Sequence, residues 1–384
     1  MIYFDYNATT PLLPEVESAC RPLFGTLFGN PSSLHRKGQE ARAALEGARR
    51  QLLAALGDEE GILLFTSGGT ESDNLALKGA ARALRSQGDH LIVSAVEHSA
   101  VLNSARALAR EGFRVEILPV DEAGRIDPAA LEQRLTDRTI LISVMQANNE
   151  VGTIQPVAQV GAIARGRGIL FHTDAVQSFG KLPLNVRSLP ADLVSISAHK
   201  IGGPKGAGAL YLRRGTPLEP LFHGGPHEGN RRAGTEGLLG IVGMAAAAQA
   251  AMQKLAGGES NRLAALRDRL EEGLLKRVPD AVRNGPADGR IPNTAGISFL
   301  GCDGEILLQG LDLAGICVST GSACAAGSRA PSHVLRAMGL AEERIAGSVR
   351  FSIGWKTTEA EIDQVLREIP PIVERVRAAR RSIR

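Results

Sequence analysis

The sequence predicts an α/β protein with a large domain, built on a mostly parallel seven-stranded sheet covered by helices, and a smaller α+β domain. Short aliphatic segments alternate with helix-compatible stretches as far as Leu212. These segments are apolar almost throughout, as strands are when helices cover both faces of a sheet. The glycine pair Gly257-Gly258 then separates two helical stretches, and the order of strands and helices changes beyond it.

The elements of the large domain are separated by turn-forming residues. The chain opens with an extended segment that ends at Pro11 and Pro14, and a polar turn at Asn30-Pro31 precedes a long helix over residues 38–56. Seven strands are predicted at residues 62–65, 90–94, 114–118, 139–144, 169–173, 193–197 and 209–212. Helices are predicted at residues 71–86, 100–111 and 238–255.

The second part of the chain begins with a predicted helix over residues 261–277. Strand-like residues 295–300 and 348–353, a helix over residues 305–311 and a helix from Thr358 complete it. We therefore expect residues 15–256 to form the large domain. Residues 1–14 and 257–384 are expected to form the small domain.

The composition is that of a globular chain: 384 residues, of which 43% are hydrophobic, can bury a large core. The formal net charge of +3 is small for this length and gives no argument for binding nucleic acid or a membrane. No apolar run reaches the roughly 18 residues that span a bilayer, and the start lacks a secretory signal. We therefore expect a cytoplasmic protein. The four cysteines lack metal-ligand spacing, so no metal site is predicted.

Lys200 stands at the end of a predicted strand, just before the glycine-rich segment Ile201-Gly-Gly-Pro-Lys-Gly206. An amine that is desolvated there, among hydroxyl and imidazole groups such as Ser197 and His199, can lose its proton and form a Schiff base with a carbonyl. A surface lysine in a loop explains these residues equally well. The rest of the chain has to distinguish the two interpretations.

Polar residues follow other predicted strands as well. Residues Thr66-Ser-Gly-Gly-Thr-Glu-Ser72 open a helix with free backbone amides, which suit either a phosphate or a plain helix cap. Asp174 is placed either to hold a proton on a heteroaromatic nitrogen, as pyridoxal phosphate requires, or to cap a helix. His98 is either a site residue or a structural one. Because ligands bind beyond the carboxyl ends of parallel strands, we expect these groups to form one site.

Cys324 lies in Ser319-Thr-Gly-Ser-Ala-Cys-Ala-Ala-Gly-Ser328, a segment of small residues that cannot pack as a core element. We expect a thiol on such a loop to be exposed, which suits a reactive group. The other three cysteines have the character of small core or surface residues.

Six motifs together are typical of one family. They are Thr66-Ser-Gly-Gly-Thr-Glu-Ser-Asp-Asn74, Glu97-His98, Gln146-Ala-Asn-Asn-Glu-Val-Gly-Thr153, His172-Thr-Asp-Ala-Val-Gln177, Ser197-Ala-His-Lys-Ile-Gly-Gly-Pro-Lys-Gly206 and Gly321-Ser-Ala-Cys324. The chain resembles, over nearly its whole length, the pyridoxal-phosphate-dependent cysteine desulfurases of the NifS/IscS type, within the class V aminotransferases. The resemblance implies the aminotransferase type I fold, pyridoxal 5′-phosphate as cofactor and a homodimer.

The resemblance also implies roles for the site residues. Lys200 forms the Schiff base with the cofactor and moves the substrate Cα proton, Asp174 faces the pyridine nitrogen, and Gln177 faces the ring hydroxyl. His98 stacks on the ring and helps to handle the substrate thiol. The remaining implied contacts are Gly69, Thr70, Ser197, His199 and Thr235 of the partner subunit for the phosphate, Asn149 for cofactor and substrate, and Arg350 for the substrate carboxylate.

By the same resemblance, Cys324 is the nucleophile. As a thiolate it attacks the sulfur of cofactor-bound L-cysteine, so that L-alanine is released and a persulfide stays on the enzyme. The sulfur then passes to an acceptor, such as an iron–sulfur scaffold protein. Selenocysteine lyase and class V aminotransferase activity are the alternatives. A non-enzymatic sulfur-handling scaffold is disfavoured because Lys200 and Cys324 are both present.

One segment departs from the family pattern. The family usually has Gly-Gly-Gly-Gln-Glu before its Arg-x-Gly-Thr, whereas this chain has Gly224-Gly-Pro-His-Glu228 before Arg232-Ala-Gly-Thr235. The resemblance is therefore incomplete directly before the segment that carries Thr235.

Overall fold

A seven-stranded sheet forms the centre of the protein in a computed structural model that describes residues 1–321 and 331–382. The described residues contain the following strands, of which β2 to β8 form this sheet: β1 (Ile2–Tyr3), β2 (Ile62–Thr66), β3 (His90–Ser94), β4 (Arg114–Leu118), β5 (Thr139–Ser143), β6 (Leu170–Asp174), β7 (Leu193–Ser197), β8 (Gly208–Leu212), β9 (Ala281–Asn284), β10 (Thr294–Phe299), β11 (Ile316–Cys317) and β12 (Ser348–Ser352). The α-helices are α1 (Pro14–Cys20), α2 (Arg36–Leu56), α3 (Gly69–Asn74), α4 (Ala80–Ala83), α5 (Ser99–Arg110), α6 (Pro128–Glu132), α7 (Val157–Gly166), α8 (Leu238–Ala256), α9 (Glu259–Arg277), α10 (Gly304–Leu313), α11 (His333–Ala337), α12 (Glu342–Ala346) and α13 (Glu359–Ser382).

The large sheet has the strand order β2-β8-β7-β6-β5-β3-β4. Only β8 runs against its neighbours β2 and β7, and the remaining pairs are parallel. The predicted mostly parallel, seven-stranded sheet is therefore confirmed. Because six strands run the same way, their carboxyl ends meet at one edge of the sheet. The first residue of β8, Gly208, pairs there with the last residues of β2 and β7, Thr66 and Ser197.

The helix after β2 differs from the prediction. It was expected to run over residues 71–86, but it begins at Gly69 and winds through a π-helical turn, Leu75–Gly79, before ending with α4. Such turns widen a helix locally and are frequent at functional sites. The start at Gly69 places the first turn of the helix directly beside the ends of β2 and β7.

Among the described helices, only α8 is long and apolar enough to cross a membrane. No segment of this kind was expected from the sequence. It packs against α1 and α2 and contributes residues such as Met244 and Ala248 to the main hydrophobic core. With 50% of its apolar stretch buried in the protein, it has the character of a core helix. Its many alanines allow this close approach to neighbouring helices.

A second set of elements is built from both ends of the chain. Strands β12, β10 and β9 form an antiparallel sheet, and β1 pairs in parallel with β11. A separate hydrophobic core joins Ile2 and Phe4 to side chains from residues 263–376. The division of the chain into residues 15–256 and residues 1–14 with 257–384 stays a prediction.

The segment that departs from the family pattern is held by a buried ion pair. Glu228 has a left-handed backbone conformation, with φ of 49°, and its side chain is 1% exposed. Arg49 of α2 donates two hydrogen bonds of 2.8 Å to the two carboxylate oxygens, and the Phe65 backbone N–H donates a third of 2.9 Å. The pair thus ties this segment to α2 and to strand β2.

Replacing Glu228 with alanine should reduce the free energy of unfolding by about 3 kcal/mol, because the buried Arg49 guanidinium loses its main partner. Urea denaturation followed by circular dichroism measures this loss. Glu46 is the matched control, since it also binds Arg49 but its side chain is 43% exposed; Glu46→Ala should cost less than about 1 kcal/mol. Equal losses in the two variants would contradict the assignment.

Candidate active site

A cavity of about 740 Å³ lies beyond the carboxyl ends of the parallel strands. It brings together most of the residues that the sequence singled out, although they come from different strand ends and loops. Those in its wall are Gly69, Thr70, His98, Asn149, Asp174, Gln177, Ser197, His199, Lys200 and Arg350. Thr235 is exposed and lies outside this wall. Cys324 lies outside the residues that the structure describes.

Lys200 ends the short 3₁₀ turn Ala198–Lys200 that follows β7. Its Nζ donates hydrogen bonds of 2.6 Å to the carbonyl oxygen of Asn7 and 2.9 Å to that of Ala8. Both acceptors are neutral backbone groups of the N-terminal segment. These two hydrogen bonds hold the amine at the cavity wall.

One end of the cavity is suited to an anion. Gly69 starts the helical stretch over residues 69–83, where backbone N–H groups lack partners within the helix. The Ser197 hydroxyl is buried and has no hydrogen-bond partner among the described residues. A smaller cavity of about 350 Å³ adjoins this end and is lined by Thr70 and Lys205. A phosphate group fits these donors.

Glycine is required where β8 begins beside this anion site. A Cβ on Gly208 would lie 2.6 Å from backbone atoms of Gly68, closer than any real contact allows. The close approach keeps the loop after β2 against the ends of the neighbouring strands. His199 completes this wall, and burial lowers its pKa to about 4, with the charges of Lys200 and Lys205 acting in the same direction. Its imidazole is therefore neutral near pH 7.

The carboxylate of Asp174 lies at the end of β6 and is 5% exposed. It accepts a hydrogen bond of 2.8 Å from the Val176 backbone N–H. Burial raises its pKa, while the nearby His98 and Lys200 oppose that change. A protonated ring nitrogen in the cavity would compensate this carboxylate, so the site fits a pyridine-type cofactor.

A second buried carboxylate lies near Asp174. Asp73 is 1% exposed, and its Oδ1 has no hydrogen-bond partner among the described residues. Burial, followed by the charge of Asp174, raises the pKa of Asp73. Its Oδ1 lies 3.7 Å from Nε2 of His172, whose pKa burial lowers to about 3. The histidine is therefore neutral and acts as a hydrogen-bonding spacer between the hydroxyls of Ser143 and Ser195.

His98 caps α5, because its Nδ1 accepts a hydrogen bond of 3.1 Å from the Ala100 backbone N–H. In the neutral ring the proton then sits on Nε2. The preceding residue, Glu97, is fully buried and accepts hydrogen bonds from the Ser94 hydroxyl and the Met145 backbone N–H. Burial raises the pKa of Glu97 to about 8. The cap and this anchored neighbour fix the position of the imidazole at the cavity wall.

Arg350 of β12 brings a cation to the cavity from the second sheet. Its side chain is 4% exposed and donates hydrogen bonds of 2.7 Å to Oδ1 of Asp5 and 3.1 Å to the carbonyl oxygen of Asn149. Its Nε has no partner among the described residues. A planar guanidinium in this position can take up a substrate carboxylate.

Comparison with known proteins identifies the family to which this arrangement belongs. The model of the family described as Aminotransferase class-V matches residues 2–365. The chain belongs to the class V aminotransferase family. Enzymes of this family depend on pyridoxal phosphate, and the geometry above fits that cofactor.

Individual relatives of this class V aminotransferase-family protein carry more specific names. The cysteine desulfurase IscS of Dictyoglomus turgidum is 48% identical, over 98% of this chain and 95% of the relative. A solved NifS-like protein superposes with a TM-score of 0.91 at 38% identity, over 97% of this chain and 99% of that one. The structure titled SspA in complex with cysteine gives a TM-score of 0.79 at 35% identity, over 92% and 99% of the two chains.

Sequence reasoning assigned no role to Asn7, although this residue is central to the site of the class V protein. It is 1% exposed, and its side chain donates to the Asn149 carbonyl and the Thr294 hydroxyl at 3.0 and 2.8 Å. Its own carbonyl accepts hydrogen bonds from Lys200 and Gln177. The signal in the sequence was the polar run Asp5-Tyr-Asn-Ala-Thr9 within the extended N-terminal segment.

Replacing Glu97 with glutamine should make stability less dependent on pH. Burial raises the pKa of this carboxyl from its usual 4.5 to about 8, so between these values the folded protein keeps a proton that the unfolded chain has released. The free energy of unfolding therefore falls as pH rises through this window and levels off above it. Glu97→Gln removes this contribution, and urea denaturation at several pH values measures the slope.

The control for this experiment is Glu132→Gln, which changes a carboxylate on α6 whose side chain is 54% exposed. It should leave the slope as in the wild type. A Glu97→Gln slope equal to that of the wild type would mean that Glu97 ionises normally in the folded protein.

Proposed function

We propose that the protein is a cysteine desulfurase, which converts L-cysteine to L-alanine and passes the sulfur, through a persulfide on Cys324, to an acceptor. The observation that carries the proposal is the single cavity in which Lys200, Asp174 and Arg350 meet. These residues provide an amine, a buried carboxylate and a carboxylate-binding cation. The named relatives, cysteine desulfurases aligned over 98% of the chain, support this choice of reaction.

The described residues supply a contact for each part of pyridoxal 5′-phosphate. Asp174 would hold a proton on the pyridine nitrogen, Gln177 would donate to the ring hydroxyl, and Lys200 would form the covalent link. The phosphate contacts would come from Gly69, Thr70, Ser197 and His199, with Asn149 beside the ring and Thr235 of the partner subunit completing the site. When bound, the cofactor supplies an electron sink that makes the bonds at the substrate Cα labile.

Arg350 and Asn149 would orient the substrate. The guanidinium already holds the Asp5 carboxylate with one nitrogen, and its unpartnered Nε leaves a second edge for the α-carboxylate of L-cysteine. Asp5 would keep the guanidinium plane in place, because the ion pair is formed before substrate arrives.

Lys200 and His98 would move the protons. The Asn7 and Ala8 carbonyls hold the Lys200 amine at the wall, from which it would take the proton from the substrate Cα and return one to the product. His98 carries its donor on Nε2, on the side opposite its helix-capping nitrogen. From the cavity wall, the imidazole would exchange a proton with the substrate thiol.

Cys324 would act as a thiolate. It attacks the substrate sulfur, a sulfur–sulfur bond forms, and the carbon–sulfur bond breaks with its electron pair going to the substrate carbon, which is later protonated to give alanine. The described residues on either side of this segment are Gly321 and Pro331. The thiol itself lies outside the described residues.

A homodimer fits the surface around Thr235. This residue is exposed, and along the same stretch of chain Phe222 is 50% and Leu239 is 39% exposed. Apolar side chains of this size usually become covered when subunits associate. An iron–sulfur scaffold protein as sulfur acceptor, and a cytoplasmic location, stay predictions.

Replacing Cys324 with serine should abolish sulfide release from cysteine in the presence of a thiol reductant, because a hydroxyl is a far weaker nucleophile than a thiolate at neutral pH. Sulfide and alanine are measured together in the cofactor-loaded protein. The matched control is Cys317→Ser, a partly buried cysteine of β11, which should retain activity. Normal sulfide release from Cys324→Ser would contradict the persulfide mechanism.

Replacing Lys200 with alanine should remove the visible absorbance of the purified, cofactor-loaded protein. Reduction with borohydride followed by peptide mass analysis then locates the covalent link at residue 200 in the wild type and nowhere in the variant. Lys205→Ala, which changes a lysine at the anion end of the site, should keep the link. A reducible bond at another lysine would overturn the assignment of Lys200.

A further inference from the structure

A second lysine, Lys181, contacts Gln177 but does not line the main cavity. It follows Gly180, whose φ is 76°, and lines a small cavity of about 60 Å³ beside Lys200. Its Nζ donates a hydrogen bond of 3.0 Å to Oε1 of Gln177 and one of 3.3 Å to Oδ1 of Asn7. Both acceptors are neutral amide oxygens.

The contacts of Gln177 determine which way its amide faces. Its Nε2 donates a hydrogen bond of 3.0 Å to the Asn7 carbonyl oxygen. Exchanging the amide oxygen and nitrogen would remove the acceptor of the Lys181 amine and place an oxygen against the Asn7 carbonyl, a contact that is repulsive whatever the charge of Lys181. In the observed orientation one N–H of Gln177 is used by Asn7. The second N–H is left for the main cavity, whose wall Gln177 forms.

The surroundings of Lys181 disfavour the charged form of its amine, so this lysine does not stabilise the fold as a cation. Burial, followed by the charges of Lys200 and Arg350, lowers the pKa of Lys181 to about 7. The small cavity also contains Lys254 and Glu259 in its wall. A lysine in such a place is costly to keep charged, but even a neutral amine can donate the two hydrogen bonds that it makes here.

We propose that Lys181 is a positioning residue, which fixes the amide of Gln177 so that its N–H points at the ring hydroxyl of a pyridoxal-type cofactor. This inference rests on the proposed function. Lys181 acts on the cofactor only through Gln177. Its contact with Asn7 joins this amide to the same residue that holds Lys200.

The test compares Lys181→Met, which removes the donor, with Lys181→Arg, which keeps one. The small cavity beside Lys181 offers room for the larger guanidinium. The dissociation constant of pyridoxal phosphate is measured by titrating the apoprotein. Lys181→Met should weaken binding about tenfold, the effect expected from one lost hydrogen bond of ordinary strength, and Lys181→Arg should restore most of it.

The visible absorbance of the loaded protein gives a second measurement, without substrate. A donor at the ring hydroxyl stabilises the less protonated form of the chromophore, so its loss should move the pH midpoint of the absorbance upward by about one unit in Lys181→Met. The matched control is Lys254→Met, because Lys254 lines the same small cavity without contacting Gln177. The Lys254→Met variant should have the same dissociation constant for pyridoxal phosphate and the same pH midpoint of the absorbance as the wild type.

A double-mutant cycle with Gln177→Ala tests the route of the effect. If Lys181 acts through Gln177, Lys181→Met should add no further loss of cofactor affinity in the Gln177→Ala background. Full additivity, or an unchanged affinity and midpoint in Lys181→Met alone, overturns the inference while leaving the proposed function intact. A wild-type protein that takes up no pyridoxal phosphate overturns both.

Discussion

The hydrogen bonds of Asn7 are the constraint on which the site depends. Its side chain binds Thr294 of the antiparallel sheet and the Asn149 carbonyl, while its carbonyl takes hydrogen bonds from Lys200 and Gln177 beyond the large sheet. One buried residue therefore sets the distance between the elements that carry the amine and those that carry Arg350. A displacement of the N-terminal segment, which pairs with β11 through the two residues of β1, would move both at once.

Burial determines the protonation of the groups in the cavity as much as ion pairing does. Asp174 and Asp73 are both buried carboxyls with raised pKa values, and the Lys200 amine and the Arg350 guanidinium line the same cavity. Two histidines near these groups are neutral, because burial lowers the pKa of His172 to about 3 and that of His199 to about 4. The site thus offers the buried Asp174 carboxyl at one place and the unpartnered Ser197 hydroxyl beside Gly69 at another, which suits a ligand with a cationic ring nitrogen and an anionic phosphate.

The secondary structure was largely predictable from the sequence, and particular elements show why. Strands β3 and β7 have the bounds expected from their aliphatic runs, because a strand buried on both faces is apolar over most of its length. The π-helical turn at Leu75–Gly79 was not predicted, since it changes backbone hydrogen bonding without changing the apolar pattern. Strand β11 was missed for another reason. Two residues are too few to form a pattern, and their pairing with β1 joins positions more than three hundred residues apart.

The sequence by itself determined which residue types follow each strand, and hence that Lys200, Asp174, His98 and Gly69 would gather at one edge of a sheet. It could do so because strand periodicity and the common edge of parallel strands are properties of short stretches and of connectivity. Only the tertiary structure decided that Asn7 supports Lys200, that Lys181 orients Gln177, and that burial raises the pKa of Glu97 to about 8. Contacts between distant residues, and the loss of water around them, arise only when the whole chain is packed.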